Sequence, residues 1–374
     1  MVIAGEDFKN AGIAVPLLVG GAALSEKFTT NRIAPAYSAP TFYAKDAMTG
    51  LRLLNEIMDP EGREAALASH MFSAPAAATV AIAPTPVPYS EQRSTKVRAD
   101  LPIPIVPYTE RRVRLVPNLQ EVWSYINPFM LYGRHLGYKG NFEKDLHERN
   151  ERALELFHNV EDVKQRVAQF MKVRAVWRFF EAERAGNSVN LFEPGTETPL
   201  HTFQFGRQAR ENGISLSDYV LDPDDKGQRD HVAMFVVTAG EGVRAFSEAA
   251  KTRGEFFLAH CSQALAIETA EACADWLHRR IREDWGFPDV PTMTMKDRFT
   301  SRYRGKRYSF GYPACPRLED QQGLFELLRP EEIGVELTDG FMMDPEASVS
   351  ALVFHHPDAS YFSVAEEQDT AAVS

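Results

Sequence analysis

Between Glu64 and Tyr89, nine alanines and four prolines fill half of 26 positions. Proline lacks the amide hydrogen that a helix or central strand needs, and Pro84, Pro86 and Pro88 crowd together, so this stretch favours extended chain over a continuous helix. The feature divides the sequence, because any packed core has to be completed on one side of it or the other. Similar composition continues through Pro102, Pro104 and Pro107. The expected organisation is a fragment over 1–62, an Ala/Pro-rich linker over 63–108 and a main domain over 109–368.

Ahead of the linker, Val15 to Val19 is a short, uninterrupted apolar run, the pattern of a parallel strand buried on both faces. It ends at Gly20-Gly21, where the backbone can turn tightly and approach a ligand or helix closely. A second strand is predicted at Thr41–Ala44 and a helix over Ala47–Met58. Two strands with one crossover cannot cover both faces of a sheet, so this piece reads as the tail of a larger α/β domain. The apolar run from Ala11 to Val19 follows Glu6 and Asp7, where a signal peptide needs positive charge, and it is too short to span a bilayer. No later uncharged apolar run reaches about 18 residues, and a cytoplasmic protein without membrane contact is expected.

The formal net charge of −11 argues against a general nucleic-acid binder, which would cluster a basic excess on one face. Cys261, Cys273 and Cys315 are widely spaced and odd in number, so the reading is a reducing compartment with neither a disulfide framework nor a zinc ribbon. After the linker, helical patterns fall at 118–126, 143–172 and 255–285. Strand-like runs fall at 175–180, 189–192, 231–238 and 350–355. Long helices among scattered strands, with no βαβ alternation, predict an α+β domain.

Several short patterns bear on chemistry. Gly240-Glu241-Gly242-Val243-Arg244-Ala245 follows a predicted strand and matches Gly-x-Gly-x-x-Ala, but no second βαβ unit follows, so a strand-to-helix turn is favoured over a nucleotide site. Asp145-Leu146-His147 resembles part of a cobalamin-ligating loop, yet it sits in a charged helical pattern and lacks the glycine that completes the loop. In the helix 255–285, Ala266, Ala270, Cys273, Leu277 and Ile281 form an apolar stripe. The opposite side carries Glu268, Glu271, Asp275, His278 and Arg282, which reads as a solvated face held by i, i+4 pairs more readily than as a metal site. Arg302, Arg304, Lys306 and Arg307 then precede an aromatic, glycine and proline loop ending at Pro316. Such a loop can aim a guanidinium, backbone amides and ring faces at one small ligand, or it can be a surface anion patch beside a structural turn.

Arg307-x-x-x-Gly311-Tyr312-Pro313-Ala314-Cys315-Pro316 resembles the signature of the activation domain of cobalamin-dependent methionine synthase. Similarity extends through Ile333–Asp339, Ala347–Ser350 and His356–Phe362, and upstream through Phe235–Gly240 and Ala270–His278. Pro16–Ala22, Ile33–Pro35 and Tyr37–Pro40 look like the end of that family's cobalamin domain, in the family's order. The resemblance implies an activation domain with long helices around an antiparallel sheet, preceded by part of a Rossmann-like cobalamin domain. It also implies S-adenosylmethionine bound through Glu271, Arg307, the Ser309 backbone, Tyr312 and Tyr361, with Asn127 where the family often has Asp, and Gly20 and Gly21 toward cobalamin.

The implied activity is reductive methylation of cob(II)alamin within a methyltransferase of methionine biosynthesis. The implied partners are the remaining synthase modules, above all a cobalamin-bearing one, and a flavodoxin-like electron donor. The homocysteine and folate modules, the helical cap and the Asp-x-His-x-x-Gly loop are absent from this sequence, so methionine synthesis by this chain alone is not expected. The alternative reading is a freestanding S-adenosylmethionine-binding or corrinoid-docking module without turnover.

Overall fold

A computed structural model describes residues 2–20, 26–37, 39–44, 47–59, 62–70, 90–116 and 118–364. The chain divides into two compact units with the boundary between residues 86 and 87.

In the first unit, α1 (Val2–Asn10) leads into β1 (Leu17–Gly20), followed by the short helices α2 (Glu26–Phe28) and α3 (Ala34–Tyr37), β2 (Thr41–Ala44), α4 (Ala47–Met58) and α5 (Arg63–Ser69). β1 and β2 pair in parallel, Leu17 opposite Thr41 through Gly20 opposite Ala44. Phe42, Leu53 and Ile57 form a small core, against which Leu18 and Leu67 pack. The strand and helix expectations hold here to within two residues. Helix α5 is a correction: its seven residues, three of them alanines, occupy the start of the stretch read as linker, ahead of its first proline, Pro75. Residues 71–89, the rest of that stretch's Ala/Pro-rich part, lie outside the described residues.

The second unit is built on a seven-stranded antiparallel sheet. Its elements are β3 (Arg112–Leu115), α6 (Leu119–Trp123), α7 (Phe142–His147), α8 (Glu151–Val167), β4 (Arg174–Ala185), β5 (Ser188–Phe192), β6 (His201–Gln204) and β7 (Asp230–Thr238). There follow α9 (Val243–Thr252), α10 (Phe256–Asp284), α11 (Met295–Phe299), β8 (Lys306–Tyr308), α12 (Gln321–Leu328), the two-residue strands β9 (Glu336–Leu337) and β10 (Met343–Asp344), and β11 (Ser348–Phe354). The strand order is β6-β5-β4-β7-β11-β8, with β3 on β4. β4 is long enough, at 12 residues, to pair β3 near its start and β5 near its end.

Alternation along each central strand sends successive side chains to opposite faces. Ala233, Phe235 and Val237 of β7 join Trp177 and Phe179 of β4 and Val349 and Ala351 of β11 in a core covered by helices including α8 and α10. Val232, Met234 and Val236 join Phe180, Tyr308, Leu324 and Phe354 on the other face. Burial on both faces explains why β7 reads as a continuous apolar run although its sheet is antiparallel.

The helical pattern 143–172 resolves into α7 and α8. Arg149 turns to φ 57°, and the Asn150 side chain accepts from the Arg152 and Ala153 amides at 3.1 and 3.3 Å. A local Asx cap of this kind competes with an uninterrupted helix. The pattern 118–126 shortens to α6. Residues 90–108, read as linker, belong to the second unit: Ser94 N donates to Asp218 Oδ2 at 3.3 Å, Arg98 pairs with Asp358 at 2.6 Å, and Trp177 Nε1 donates to Tyr108 Oη at 2.9 Å.

Gly240 and Gly242 serve the fold. A Cβ on Gly240 would lie 2.4 Å from Pro345 Cβ, and Gly242 takes φ +75° to start α9. The strand-to-helix reading of that motif therefore stands on geometry.

Candidate functional site

Helix α10 runs 29 residues, about 44 Å at 1.5 Å per residue. Its apolar stripe is fully buried: Ala266, Ala270, Cys273, Leu277 and Ile281 are each at most 1% exposed. The opposite side is not the solvated face the sequence suggested. Glu268, His278 and Arg282 are buried there as well. Two pieces of chain cover it, and neither is signalled by α10's own sequence.

The first is the segment leading from α6 to the π-helical turn Phe129–His135. Trp123 Nε1 donates to Thr269 Oγ1 at 3.0 Å and Arg279 Nη1 to Tyr125 Oη at 2.9 Å, which anchor this segment along α10. Its last residue, His135, places Nε2 3.0 Å from Glu268 Oε1. The second piece is edge strand β8. Tyr308 points into the far core, so by alternation Arg307, opposite Val353 of β11, faces α10.

These pieces enclose a cavity of about 320 Å³ whose lining includes Tyr125, Asn127, Glu268, Glu271, Asp275 and Arg307. Tyr303, Tyr361 and Arg298 line it too. Glu268, Glu271 and Asp275 fall at i, i+3 and i+7, which puts all three carboxylates on one side of the helix. Arg307 Nη2 donates to Glu271 at 3.0 Å and to Asp275 at 3.1 Å. Both bonds use Nη2, which belongs to both two-donor edges of the guanidinium, so what remains for a further acceptor is a single N–H of Nε or Nη1.

The charges follow from burial and neighbours. Burial by itself opposes the Arg307 charge, but Asp275 and Glu271 more than offset it and hold the guanidinium firmly protonated. Burial raises the Asp275 carboxyl, against the pull of Arg307. Glu268, without an arginine, is pushed up to about 7 by burial and then by Glu271 and Asp275. His135 is lowered by burial and by His260. His278, one turn beyond Asp275, is held neutral by burial and by Arg282, Arg307 and Lys306. Behind the wall, Asp289 joins Arg282 at 2.6 Å and Arg298 at 3.0 Å, fixing the chain around α11 to the end of α10.

Of the residues singled out in the sequence, Glu271, Arg307, Asn127 and Tyr361 come together at this cavity. Asn127 Oδ1 accepts from the Phe129 amide at 3.0 Å, so its amide nitrogen is the end it can offer to a ligand. Ser309 and Tyr312 are not among the lining residues: Ser309 Oγ donates to the Ser350 carbonyl at 2.6 Å, and Tyr312 is 62% exposed on a turn closed by Gly311 N to Cys315 O at 2.9 Å.

The four cations before this turn do not form a surface anion patch. Arg302 pairs with Asp297, Arg304 donates to the His355 carbonyl and Lys306 to the Tyr303 and Gly305 carbonyls, while Arg307 faces α10. Gly20 ends β1, where a Cβ would lie 2.4 Å from the Ala44 carbonyl oxygen, so strand pairing already requires glycine there. Gly21 lies outside the described residues.

Sequence reasoning missed His135, Glu268 and Asp275 as a group with Arg307. The i, i+3, i+7 spacing was the available signal for the carboxylates, whereas nothing local marked His135. Among the described residues, no three His, Cys, Asp or Glu side chains converge as a metal site, and no helix is long and apolar enough to cross a membrane.

Known proteins give the same picture from outside. Methionine synthase of Mycobacterium tuberculosis is 29% identical over 96% of this chain, and that of Mycobacterium leprae is 28% identical over 96%. The chain spans about a third of the length of these relatives, 33% of each. A crystal structure of the MetH reactivation domain bound to AdoHcy aligns with a TM-score of 0.65 and 27% identity, covering 70% of this chain and 83% of that one. The activation domain of vitamin B12 dependent methionine synthase matches residues 118–371, so the chain belongs to that family.

Proposed function

We propose that the cavity beside α10 binds S-adenosylmethionine and that the second unit works as the reactivation module of a methionine synthase. One observation carries the reading. Arg307, a cation with Nε and Nη1 outside its bonds to Glu271 and Asp275, and a row of three carboxylates line the same small cavity. A ligand with a carboxylate at one end and a fixed positive charge along its body matches that arrangement. The AdoHcy held by the structurally similar MetH domain supports the ligand class.

In this reading Arg307 takes the methionine carboxylate through a charge-assisted hydrogen bond from a nitrogen that Glu271 and Asp275 leave unused. Glu271 meets a ribose hydroxyl or a positive charge, Asn127 offers an amide hydrogen, and Tyr361 offers a ring suited to a sulfonium or adenine.

The first unit is assigned to the end of a cobalamin domain and the second unit, residues 90–108 included, to the activation domain, in keeping with relatives that align over 96% of the chain. His70 is stacked on Phe42 at 4.2 Å and bonded to the Ala66 carbonyl at 3.1 Å, and the bare Cα of Gly20 is taken up by Ala44. In this reading the corrinoid is a substrate of the second unit, carried by a cobalamin-bearing module. In the overall reaction a flavodoxin-like donor supplies one electron, and the methyl passes from sulfur to cobalt while the S–C electron pair stays on sulfur as S-adenosylhomocysteine.

Calorimetric titration with S-adenosylmethionine tests the reading. Saturable one-to-one binding is expected, weakened at least tenfold by Arg307→Ala, the equivalent of losing about 1.4 kcal/mol in a charge-assisted contact. Absence of binding to folded protein, or unchanged affinity in the variant, would overturn it.

A further inference from the structure

The three carboxylates of the cavity are unequally partnered. Glu271 and Asp275 share Arg307, a permanent cation. Among the described residues Glu268 is partnered by the imidazole of His135, at 3.0 Å, and its side chain is 5% exposed. An imidazole exchanges its proton near neutrality, so this pair is the part of the cavity whose charge can adjust.

The groups that act on the pair come from several elements. Glu271 and Asp275, on α10 itself, disfavour an ionised Glu268. His260, also on α10, meets the His135 carbonyl at 2.8 Å and disfavours an imidazolium. Arg307 of β8 is engaged with the other two carboxylates, and Arg298 of α11 with Asp289. On α8, Lys164 is paired with Glu161 at 2.8 Å. Tyr125, Tyr303 and Tyr361 add uncharged hydroxyls. With the cavity unfilled, these influences favour a neutral carboxyl beside a neutral imidazole over a carboxylate beside an imidazolium.

Resting on the S-adenosylmethionine reading, we propose that Glu268 and His135 form a proton-linked selectivity element, which loses its proton when a sulfonium ligand enters the cavity and keeps it when the ligand is the neutral thioether. A positive charge within a few ångströms favours the carboxylate. The two ligands differ by one methyl and one charge, and the pair responds to the charge. Once the methyl has left, the pair recovers its proton and the cavity loses its preference for what remains, which eases exchange of product for substrate.

The test compares S-adenosylmethionine and S-adenosylhomocysteine in the full chain, so that titration of the groups common to both ligands cancels. The ratio of their Kd values is expected to shift about tenfold toward S-adenosylmethionine between pH 6 and pH 8, as for one group titrating near pH 7. Glu268→Gln is expected to make the ratio the same at both pH values. Calorimetry of the unaltered protein in buffers of different ionisation enthalpy should show release of roughly half a proton at pH 7 with S-adenosylmethionine and almost none with S-adenosylhomocysteine. That readout decides the matter if the variant does not fold. Binding of both ligands with a pH-independent ratio and no differential proton release would overturn the selectivity element and leave the site standing. Failure of both ligands to bind folded protein would overturn the site itself.

Discussion

Replacing Arg307 with Met removes the charge that Glu271 and Asp275 share while keeping an apolar side chain against α10. Asp275 dominates the outcome, because its side chain is 26% exposed, against 42% for Glu271. Removing one partner of a fully buried pair costs about 3–5 kcal/mol, and exposed pairs are worth about 0–1. With Arg307 itself 17% exposed, an intermediate loss of about 1–3 kcal/mol is expected near pH 8, or a fall in Tm of roughly 3–8 °C for a unit of this size.

The pH dependence has a definite sign. Burial already raises the Asp275 carboxyl, and Arg307 is what pulls it down, so in the variant it rises further. A carboxyl whose folded-state value lies above its unfolded one adds stability at low pH and loses it as pH climbs through the folded value. Arg307→Met should therefore cost less at pH 5.5 than at pH 8. Thermal unfolding of the unaltered protein and the variant at both pH values measures the difference, and the contribution of Glu268, present in both proteins, largely cancels. An equal fall in Tm at the two pH values, or a larger one at pH 5.5, would refute the argument.

Two further outcomes follow from the second unit. Asp218 is fully buried, with Arg207 bonded to both of its carboxylate oxygens at 2.6 Å, so Asp218→Asn should cost about 3–5 kcal/mol in urea unfolding, and a loss below about 1 would contradict that role. Deleting residues 2–89 should leave one sharp thermal transition, whereas deleting 2–108 should lower its midpoint by removing Ser94 from Asp218 and Arg98 from Asp358. Equal midpoints for the two truncations would show that this stretch does not support the unit.

The central strands were legible because their cue is local. The apolar runs at 231–238 and 175–180 reflect burial that a window of a few residues already encodes. The long helix was legible for the same reason, through its alanine-rich stripe. Strands β3, β6 and β8 were not, since edge strands of three or four residues carry too few side chains to show a period. The break at Arg149 and Asn150 was hidden by charged residues that suit a helix on either side of it.

At the site, the sequence supplied Arg307, the Gly311–Pro316 turn and the carboxylates at helical spacing, and with them the family. It could not say which side of α10 meets water. A helix with charged residues opposite an apolar stripe reads as half-exposed, and only the arrival of β8 from one direction and of the segment ending at His135 from another turns that side into a cavity wall. Residues 135 and 268 stand far apart along the chain, as do 275 and 307. Their partnerships, and the shifts in charge that burial imposes on Glu268 and Asp275, exist only once the sheet has placed edge strand β8 beside the helix. The sequence determined which groups are present and the periods at which they recur; the tertiary structure decided which of them lose water and face one another, because desolvation and proximity are properties of the packed chain and not of any local stretch of it.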